Sequence, residues 1–297
     1  MAENISTAGG VVIIKADMIS NIYINGFPLD NEGFSYIREV QGLTAPTIDL
    51  QTYNRGGRDG IVLGNPYYRQ RVFTITLAIV ASAPASLLTQ KDRFLTTLRL
   101  QQYGDTRYKT VKFETVDGHL RTTEAIVKQI SGELKPETSY AYTPLSFQMI
   151  ANRWYLEGDE HELEVSAPDR GGMPVPMNIP MTMANNPGDS SSQIINNGNT
   201  DGLPSFRITG PLTSFNLYNS TTNQRLIINY SLAANEWIDL DCYNHLAIAN
   251  SVTNIRGSVA GDWLVLAPGS NEIGFSAAVT TSGAKCIITY KDAYLGI

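Results

Sequence analysis

The sequence predicts an all-β protein of two domains, with a single α-helix in the N-terminal one. Short runs of alternating apolar and polar residues recur along the chain, and turn residues separate them. Only one stretch, residues 84–104, carries apolar side chains at helical spacing. Between residues 157 and 201 the composition shifts to Pro, Met, Asn, Gly and Ser. This shift predicts a linker region that joins domain 1–156 to domain 202–297.

The N-terminal domain opens with a series of predicted strands. Val11–Ile14 and the run from Ile19 are apolar and β-branched, and Asn25-Gly26 is a two-residue hairpin signal. Gly33–Glu39 and Pro46–Tyr53 have the composition of further strands. These segments therefore predict that the domain begins as a β-sheet.

The most regular strand of the chain is predicted over Tyr68–Val80. One of its faces carries only large apolar side chains, namely Phe73, Ile75, Leu77 and Ile79. A helix follows, for which Ser86 is the predicted N-cap and Gly104 the predicted C-cap. Its apolar stripe consists of Leu87, Leu88, Phe94, Leu95 and Leu98.

A predicted hairpin and one further strand complete the first domain. Tyr108–Val116 and Leu120–Gln129 are the strands of this hairpin, and Asp117-Gly118 is its turn. His119 follows that turn, so we expect it in the hairpin loop. Pro144–Ala151 is the closing strand.

The C-terminal domain is predicted to be a small β-sandwich. Ser214–Asn219, Arg225–Asn229 and Trp237–Asp241 are short alternating strands. The run from Gly261 to Phe275 then has the order of strand, Pro-Gly-Ser-Asn turn and strand. No residue of these segments belongs to a catalytic motif.

Composition and charge exclude several function classes. Of the 297 residues 42% are hydrophobic, which is typical of a globular protein, and only 17% are charged. The net charge of −6 argues against a nucleic-acid binder, because such proteins need a basic surface to displace counterions. The nearest approach to a basic cluster is four arginines between residues 55 and 71, and Asp59 interrupts it.

We also expect no insertion into a membrane and no secretory signal. No window reaches the roughly 18 apolar residues that a transmembrane helix needs. Met1–Asn4 carries a negative charge where a signal peptide has positive ones. The expectation is synthesis in a cytoplasm.

The sequence does not fit the common motifs of metal-binding and catalytic sites. His161 lies in the acidic run Asp159–Glu164, but the helical zinc motif needs a second histidine where Val165 stands. A solvated charged linker is the favoured interpretation of that run. Nucleophile-elbow and phosphate-loop motifs are absent from the sequence as well. We therefore expect neither an enzyme nor a cofactor nor a metal. Cys242 and Cys286 lack a CxxC partner, so buried free thiols are expected.

Two binding interpretations remain open for the C-terminal domain. Asp239 and Asp241 share a strand face and could hold calcium with Asn244, although strand-edge carboxylates bonded to turn amides are favoured. Trp237, Tyr243 and Trp263 could stack on sugar rings, in which case the domain would be a carbohydrate-binding module that contacts the host surface. The alternative is that the aromatic residues fill the sandwich core, which is favoured for Trp263 and less strongly for Trp237.

The order of these features resembles that of siphophage distal tail proteins over nearly the whole chain. In the first half the resemblance rests on Ile22-Tyr-Ile-Asn-Gly26, the loop Arg58-Asp-Gly60, the long strand from Arg69, the helix and Arg153-Trp-Tyr155. In the second half it rests on Pro204-Ser-Phe-Arg-Ile-Thr-Gly210, Trp237-Ile-Asp239 and the run from Trp263 to Phe275.

The resemblance implies an N-terminal β-sandwich with one helix and a C-terminal galectin-like or carbohydrate-module-like sandwich. It further implies a homo-hexameric ring at the virion tail tip. That ring joins the tail tube protein to the tail-tip hub protein, carries receptor-binding proteins and lets the genome pass through its channel. By this analogy the candidate subunit contact is the glycine-rich loop made of Asn54, Arg55, Gly56, Gly57, Arg58, Asp59 and Gly60.

Overall fold

The computed structural model describes residues 5–8, 11–14, 19–30, 35–43, 46–80, 84–99, 109–130, 133–134, 140–149, 153–166, 189–280 and 284–297. The chain divides into two compact units. The first comprises Met1–Glu157 and Tyr294–Ile297, and the second comprises Gly158–Ala293. Antiparallel strands dominate both units, and one α-helix occurs among the described residues. The predicted all-β fold class is confirmed.

Among its described residues the first unit contains one α-helix, α1 (Pro84–Leu98), with strands before and after it in the chain. The strands before it are β1 (Ile5–Ala8), β2 (Val11–Ile14), β3 (Ile19–Ile24), β4 (Phe27–Pro28), β5 (Ser35–Gln41), β6 (Ile48–Asp49), β7 (Thr52–Asn54), β8 (Ile61–Leu63), β9 (Tyr67–Tyr68) and β10 (Val72–Val80). The strands after it are β11 (Lys109–Thr115), β12 (Leu120–Ile130), β13 (Glu133–Leu134), β14 (Tyr140–Met149) and the start of β15 (Trp154–Ser166).

Two sets of antiparallel strands in the first unit share the long strand β12. In one set β3 pairs with β4 and β11, and β11 pairs with the first half of β12. In the other set β10 lies between β5 and β14, and β14 pairs with the second half of β12. Each set therefore presents one face to a common core.

The core of the first unit is aromatic at its centre. Phe73 on β10, Phe113 on β11 and Trp154 on β15 are fully buried. Their ring centroids lie 5.0 to 5.9 Å apart, the spacing of favourable edge-on aromatic pairs. The alternation predicted for β10 is confirmed, because its four apolar side chains are all buried.

The helix packs on this core through the predicted stripe, although its ends differ from the prediction. Leu87, Phe94 and Leu98 are buried, whereas Leu88 is exposed. The helix begins at Pro84, so Ser86 lies inside the first turn and the predicted N-cap is wrong. Proline suits this first position because its missing N–H needs no partner there. The helix ends at Leu98, and Gly104 lies outside the described residues.

The turns predicted in the first unit are present. Asn25 and Gly26 both have positive φ between β3 and β4, as a tight hairpin turn requires. Asp117 and Gly118 form the turn between β11 and β12, and His119 lies in that loop as expected.

The four residues from Tyr294 onwards belong to the first unit. The Tyr294 ring packs on the core of that unit and lies under the Arg121 guanidinium, 4.5 Å from its carbon. Arg71 donates a hydrogen bond to the carbonyl oxygen of Leu295, and Arg121 donates one to that of Gly296. Burial lowers the pKa of Arg71 to about 10.

The second unit consists of two facing sheets. Its remaining strands are β16 (Asp189–Asn196), β17 (Ser205–Thr209), β18 (Leu212–Asn219), β19 (Gln224–Leu232), β20 (Trp237–Asp241), β21 (Leu246–Ala249), β22 (Thr253–Asn254), β23 (Val259–Gly261), β24 (Gly269–Thr280) and β25 (Lys285–Tyr294), with a 3-10 turn at Arg256–Ser258. One sheet has the order β16-β24-β18-β19-β23, and the other has the order β22-β21-β20-β17-β25-β15.

Strand alternation builds the core between these sheets. Phe215 and Leu217 on β18 face Ile208 on β17 and Ile288 on β25, and all four are buried. The intervening side chains on β17, β20 and β25 point to the outer face of the second sheet. No helix among the described residues is long and apolar enough to cross a membrane.

Candidate functional site

An exposed β-hairpin extends from the first unit between β5 and β10. β7 pairs with β8 and β6 pairs with β9, so residues 48–68 form a two-stranded ribbon, which we call the arm. Eight large apolar side chains of the arm are exposed: Ile48, Leu50, Tyr53, Ile61, Val62, Leu63, Tyr67 and Tyr68. Only seven other large apolar residues are exposed in the rest of the described chain. A concentration of this kind marks an interaction surface.

The predicted subunit contact, Asn54 to Gly60, forms the tip of the arm. All seven residues are exposed. The Arg55 N–H lies 3.4 Å from the Gly60 carbonyl oxygen, and the Arg58 N–H lies at the same distance from that of Arg55. Gly57 and Gly60 have positive φ, which explains why glycine occupies these positions.

An ion pair lies at the base of the arm. The Arg69 Nε is 3.1 Å from Asp49 Oδ2, and the Arg69 N–H donates to the Thr47 carbonyl oxygen. Hydrogen bonding from Arg69 lowers the pKa of the Asp49 carboxyl group. This contact lies at the end of the β6–β9 pair, where the arm meets the rest of the unit.

The apolar residues of the arm are functional candidates that the sequence analysis missed. Pro46–Tyr53 was predicted as a strand, and apolar residues in a predicted strand are normally assigned to the core. The signal that could have revealed them is the loop itself. Glycine at 57 and 60 between two short apolar runs indicates a hairpin, and a lone hairpin has no sheet beneath it to cover both faces.

A polar groove lies on the outer face of the second unit. It has a volume of about 420 Å³ and is lined by β15, β17, β20 and β25. The Arg207 guanidinium donates two hydrogen bonds to the Asp239 carboxylate, from Nε to Oδ1 at 2.6 Å and from Nη2 to Oδ2 at 3.1 Å. Glu160, Glu162 and Asp241 add three further carboxylates to the lining. The groove is therefore acidic, with one arginine already paired.

The two aromatic candidates for glycan contact do not form one cluster. Trp237 begins β20 and Tyr243 follows its end, so the strand separates them. Trp237 is half-buried, and Tyr243 is exposed. Neither residue lines the groove. The carbohydrate-binding interpretation of these residues stays a prediction.

The carboxylates considered for calcium have protein partners. Asp241 Oδ1 accepts hydrogen bonds from the backbone N–H groups of Tyr243 and Asn244, and its Oδ2 accepts one from the Asn244 side chain. Asp239 is bound by Arg207. The favoured interpretation, carboxylates bonded to turn amides, describes Asp241 correctly.

Trp263 and the cysteines are core residues, as predicted. Trp263 is buried, with the His245 ring stacked on it at 5.1 Å and the Arg256 guanidinium over it at 5.2 Å. Cys242 and Cys286 are buried free thiols. Burial raises the pKa of Cys242 to about 12 and raises that of Cys286 as well. Both thiols are therefore protonated and unreactive near neutral pH.

A cluster of three titratable side chains lies within the second unit. Asp159 and His161 on β15 and Asp292 on β25 offer ligand atoms within 4.8 Å of one another. The acidic run that was predicted to be a solvated linker is thus part of a strand whose alternate residues face inward. Burial raises the pKa of Asp159, and the charge of Asp292 raises it further.

The C-terminal part of the sequence is similar to a known protein family. Residues 197–294 match the family model described as the siphovirus-type tail component, C-terminal domain. This match covers about one third of the chain, so that part of the chain is similar to tail-component domains of the siphovirus type. No curated protein sequence matches the chain significantly.

The fold of this chain is similar to that of particular solved structures. The fold is similar to that of the Dit protein (gp 19.1) of phage SPP1, which is described as a paradigm of the hub adsorption apparatus in phages that infect Gram-positive bacteria. The two are 14% identical with a TM-score of 0.62, over 91% of this chain and 97% of that one. Baseplate structures of phage P2, in the activated conformation with Ca or Sr, match at 11% identity and a TM-score of 0.42, over 87% of this chain and 91% of theirs.

The resemblance to siphophage distal tail proteins is therefore confirmed. The family model supports it in sequence, and the SPP1 Dit structure supports it in fold.

Proposed function

We propose that six copies of this protein form a ring that joins the tail tube to the tail-tip hub and to receptor-binding proteins. The ring would assemble in the host cytoplasm and remain in the virion. The observation that carries this proposal is the arm, because its apolar side chains have no partner surface within their own hairpin. The tail-component domain and the fold supply the context.

Physical chemistry favours a protein partner for the arm. A two-stranded hairpin without a supporting sheet is marginally stable in water. Its two outer edges also present unpaired backbone groups, which invite pairing with another chain. Covering the exposed side chains, among them Leu63 and Tyr53, would remove apolar surface from water and stabilise the hairpin.

Charge favours a second copy of the chain as that partner. The arm tip carries Arg55 and Arg58 against the single acid Asp59, while the whole chain has a net charge of −6. A basic tip is therefore attracted to an acidic neighbour of the same sequence. Ring closure needs contacts between two different patches of each subunit, and an arm that reaches a neighbour's other side provides such contacts.

The mass of the assembled protein tests the ring. Six times 32.5 kDa is about 195 kDa, and light scattering with negative-stain imaging should show a ring of that mass with an open centre. Leu63→Asp places a charge on the arm and should reduce the mass to that of one chain. The matched control is Val252→Asp, since Val252 is an exposed apolar residue of the second unit and is outside the arm. That variant should assemble normally.

Two results would contradict the proposal. One is a wild-type protein that stays at 32.5 kDa even when the tail tube and hub proteins of the same virus are added. The other is an assembly that Leu63→Asp and Val252→Asp weaken equally, since the arm would then have no special role. A monomer that binds a defined saccharide on a glycan array, and loses that binding in Trp237→Ala, would favour a carbohydrate-binding module instead.

A further inference from the structure

The inner face of β15 and β25 carries apolar side chains along one part of its length and titratable side chains along the other. Leu163 and Val165 on β15, with Cys286 and Ile288 on β25, belong to the core of the second unit or pack against it. Two residues further along the same face, β15 presents His161 and then Asp159, while β25 presents Tyr290 and then Asp292. The cluster therefore lies where the core stripe ends.

Two atoms of this cluster are buried without a hydrogen-bond partner among the described residues. They are Asp159 Oδ2 and His161 Nε2. The His161 Nε2 is 2.9 Å from Asp159 Oδ1, which is an ion-pair distance, but the pair does not meet hydrogen-bond geometry. Buried polar atoms are normally satisfied, so two such atoms beside each other indicate a missing partner.

The third ligand is held in place by its own surroundings. Asp292 is buried, and Asn197 donates to both of its carboxylate oxygens, from the backbone N–H at 2.9 Å and from the side-chain amide at 2.8 Å. Asn196 fixes this loop by bonding Thr200, Leu266 and the Gly198 N–H. Each carboxylate oxygen accepts more than one bond, so Asp292 keeps capacity for a metal ion.

The His161 ring is fixed as well. It lies against the Tyr290 ring, with centroids 4.9 Å apart and planes inclined by 32°. A packed ring loses little rotational freedom on binding an ion. The side chains of Asp159 and His161 remain 20% and 38% exposed, so the cluster lies near the surface of the second unit.

We propose that Asp159, His161 and Asp292 bind a divalent first-row transition-metal ion, with Zn²⁺ as the reference ion and water as the fourth ligand. Imidazole and carboxylate are ordinary zinc ligands, and three protein ligands with one open position form a common zinc arrangement. Calcium is disfavoured because it prefers six to eight oxygen ligands. The ion neutralises two facing carboxylates and ties β15 to β25.

The helical spacing test applied to the sequence could not find this site. That test requires histidines four residues apart, whereas a strand places residues two apart on one face. Asp159 and His161 meet the strand criterion, and the third ligand lies on a strand 131 positions further along, at residue 292. The site is independent of ring formation.

Calorimetric titration of the metal-free full-length protein with Zn²⁺ tests the site. We expect one equivalent of Zn²⁺ to bind to the wild-type protein. Loss of an oriented outer partner typically weakens metal binding about 10- to 100-fold, and this is the expected effect of Asn197→Ala. His161→Ala and Asp292→Asn should weaken binding more than Asn197→Ala does.

The chain contains a matched control for this experiment. Asp117 and His119 repeat the Asp-x-His spacing on an exposed turn, with 4.0 Å between His119 Nε2 and Asp117 Oδ2. They are not part of any three-ligand group among the described residues. His119→Ala should therefore bind Zn²⁺ like the wild-type protein.

A measurement on the wild-type protein alone guards against variants that do not fold. Zn²⁺ should shift the imidazole NMR resonances of His161 and leave those of His119 unchanged. The proposal is wrong if the wild-type protein binds no Zn²⁺. Equal binding by His161→Ala and the wild-type protein would also overturn it.

Discussion

The arm and the β18–β24 pair are both antiparallel strand pairs, yet they place their apolar side chains in opposite environments. Phe215 and Leu217 on β18 are fully buried between two sheets. Leu63 and Tyr53 on the arm are 63% and 60% exposed. The same residue types therefore contribute to folding in one region and remain available for assembly in the other. Apolar content alone does not distinguish these roles. They differ because a second sheet covers the apolar side chains of β18 and leaves those of the arm exposed.

Removing a large side chain from each region should give the widest contrast. Phe215→Ala deletes a buried ring that packs edge-on against Phe275 at 6.0 Å, and should lower the free energy of unfolding by about 3 to 5 kcal/mol. Leu63→Ala should change it by less than about 0.5 kcal/mol, as is usual for exposed sites. Urea unfolding followed by tryptophan fluorescence measures both values. Similar losses in the two variants would mean that the arm is part of the core after all.

Adding a methyl group to a glycine of the second unit and to one of the arm should give a smaller contrast. A Cβ at Gly198 would come within 1.9 Å of the Ala293 carbonyl oxygen, so the backbone must move. Gly198→Ala should therefore cost about 1 to 3 kcal/mol, as overpacking does. Gly56 at the arm tip has open space around it, and Gly56→Ala should be neutral or slightly stabilising. Thermal unfolding of both variants measures these changes in stability. A destabilised Gly56→Ala variant would indicate that the arm tip is packed.

Acidification should have the smallest effect, and at the base of the arm it should act through Asp49. Arg69 lowers the pKa of Asp49 below its ordinary value of 3.8. Stability from this pair is therefore complete above that ordinary value and is lost as pH falls through the lower, folded-state pKa. An NMR titration should show the Arg69 amide signal moving in this acid range. In Arg69→Gln the carboxyl group should titrate closer to 3.8, and an unchanged midpoint would show that the ion pair is not formed.

Local pattern predicted much of the fold. The alternation of β10, the Asn25-Gly26 turn and the hairpin around Asp117-Gly118 each depend on neighbours in sequence, and all three are present. The start of the helix was less predictable, because an N-cap at Ser86 and a first helical residue at Pro84 are both favourable local signals. The boundaries 1–156, 157–201 and 202–297 remain predictions.

The functional candidates were harder to predict. One depends on a sheet that is missing beneath the arm, and the other depends on strands that are far apart in the chain. Ile61 and Leu63 are exposed because no sheet among the described residues lies beneath the arm. Local sequence patterns do not reveal the absence of such a sheet. The meeting of His161 with Asp292 depends on the pairing of β15 with β25. Strand partners far apart in the chain are fixed by tertiary packing, so residue spacing carries no trace of them.

The placement of Tyr294–Ile297 in the first unit has a consequence for dissecting the molecule. The chain leaves that unit after Glu157 and returns to it at Tyr294, so the second unit is an insertion with two covalent connections. A protease cut after Glu157 separates residues 1–157 from residues 158–297, so Tyr294–Ile297 of the first unit stay covalently attached to the second unit. A gene fragment that stops before Tyr294 removes the side chain stacked under Arg121 and the carbonyl groups bonded to both arginines. Exchange of the second unit between related proteins would therefore need two crossover points rather than one.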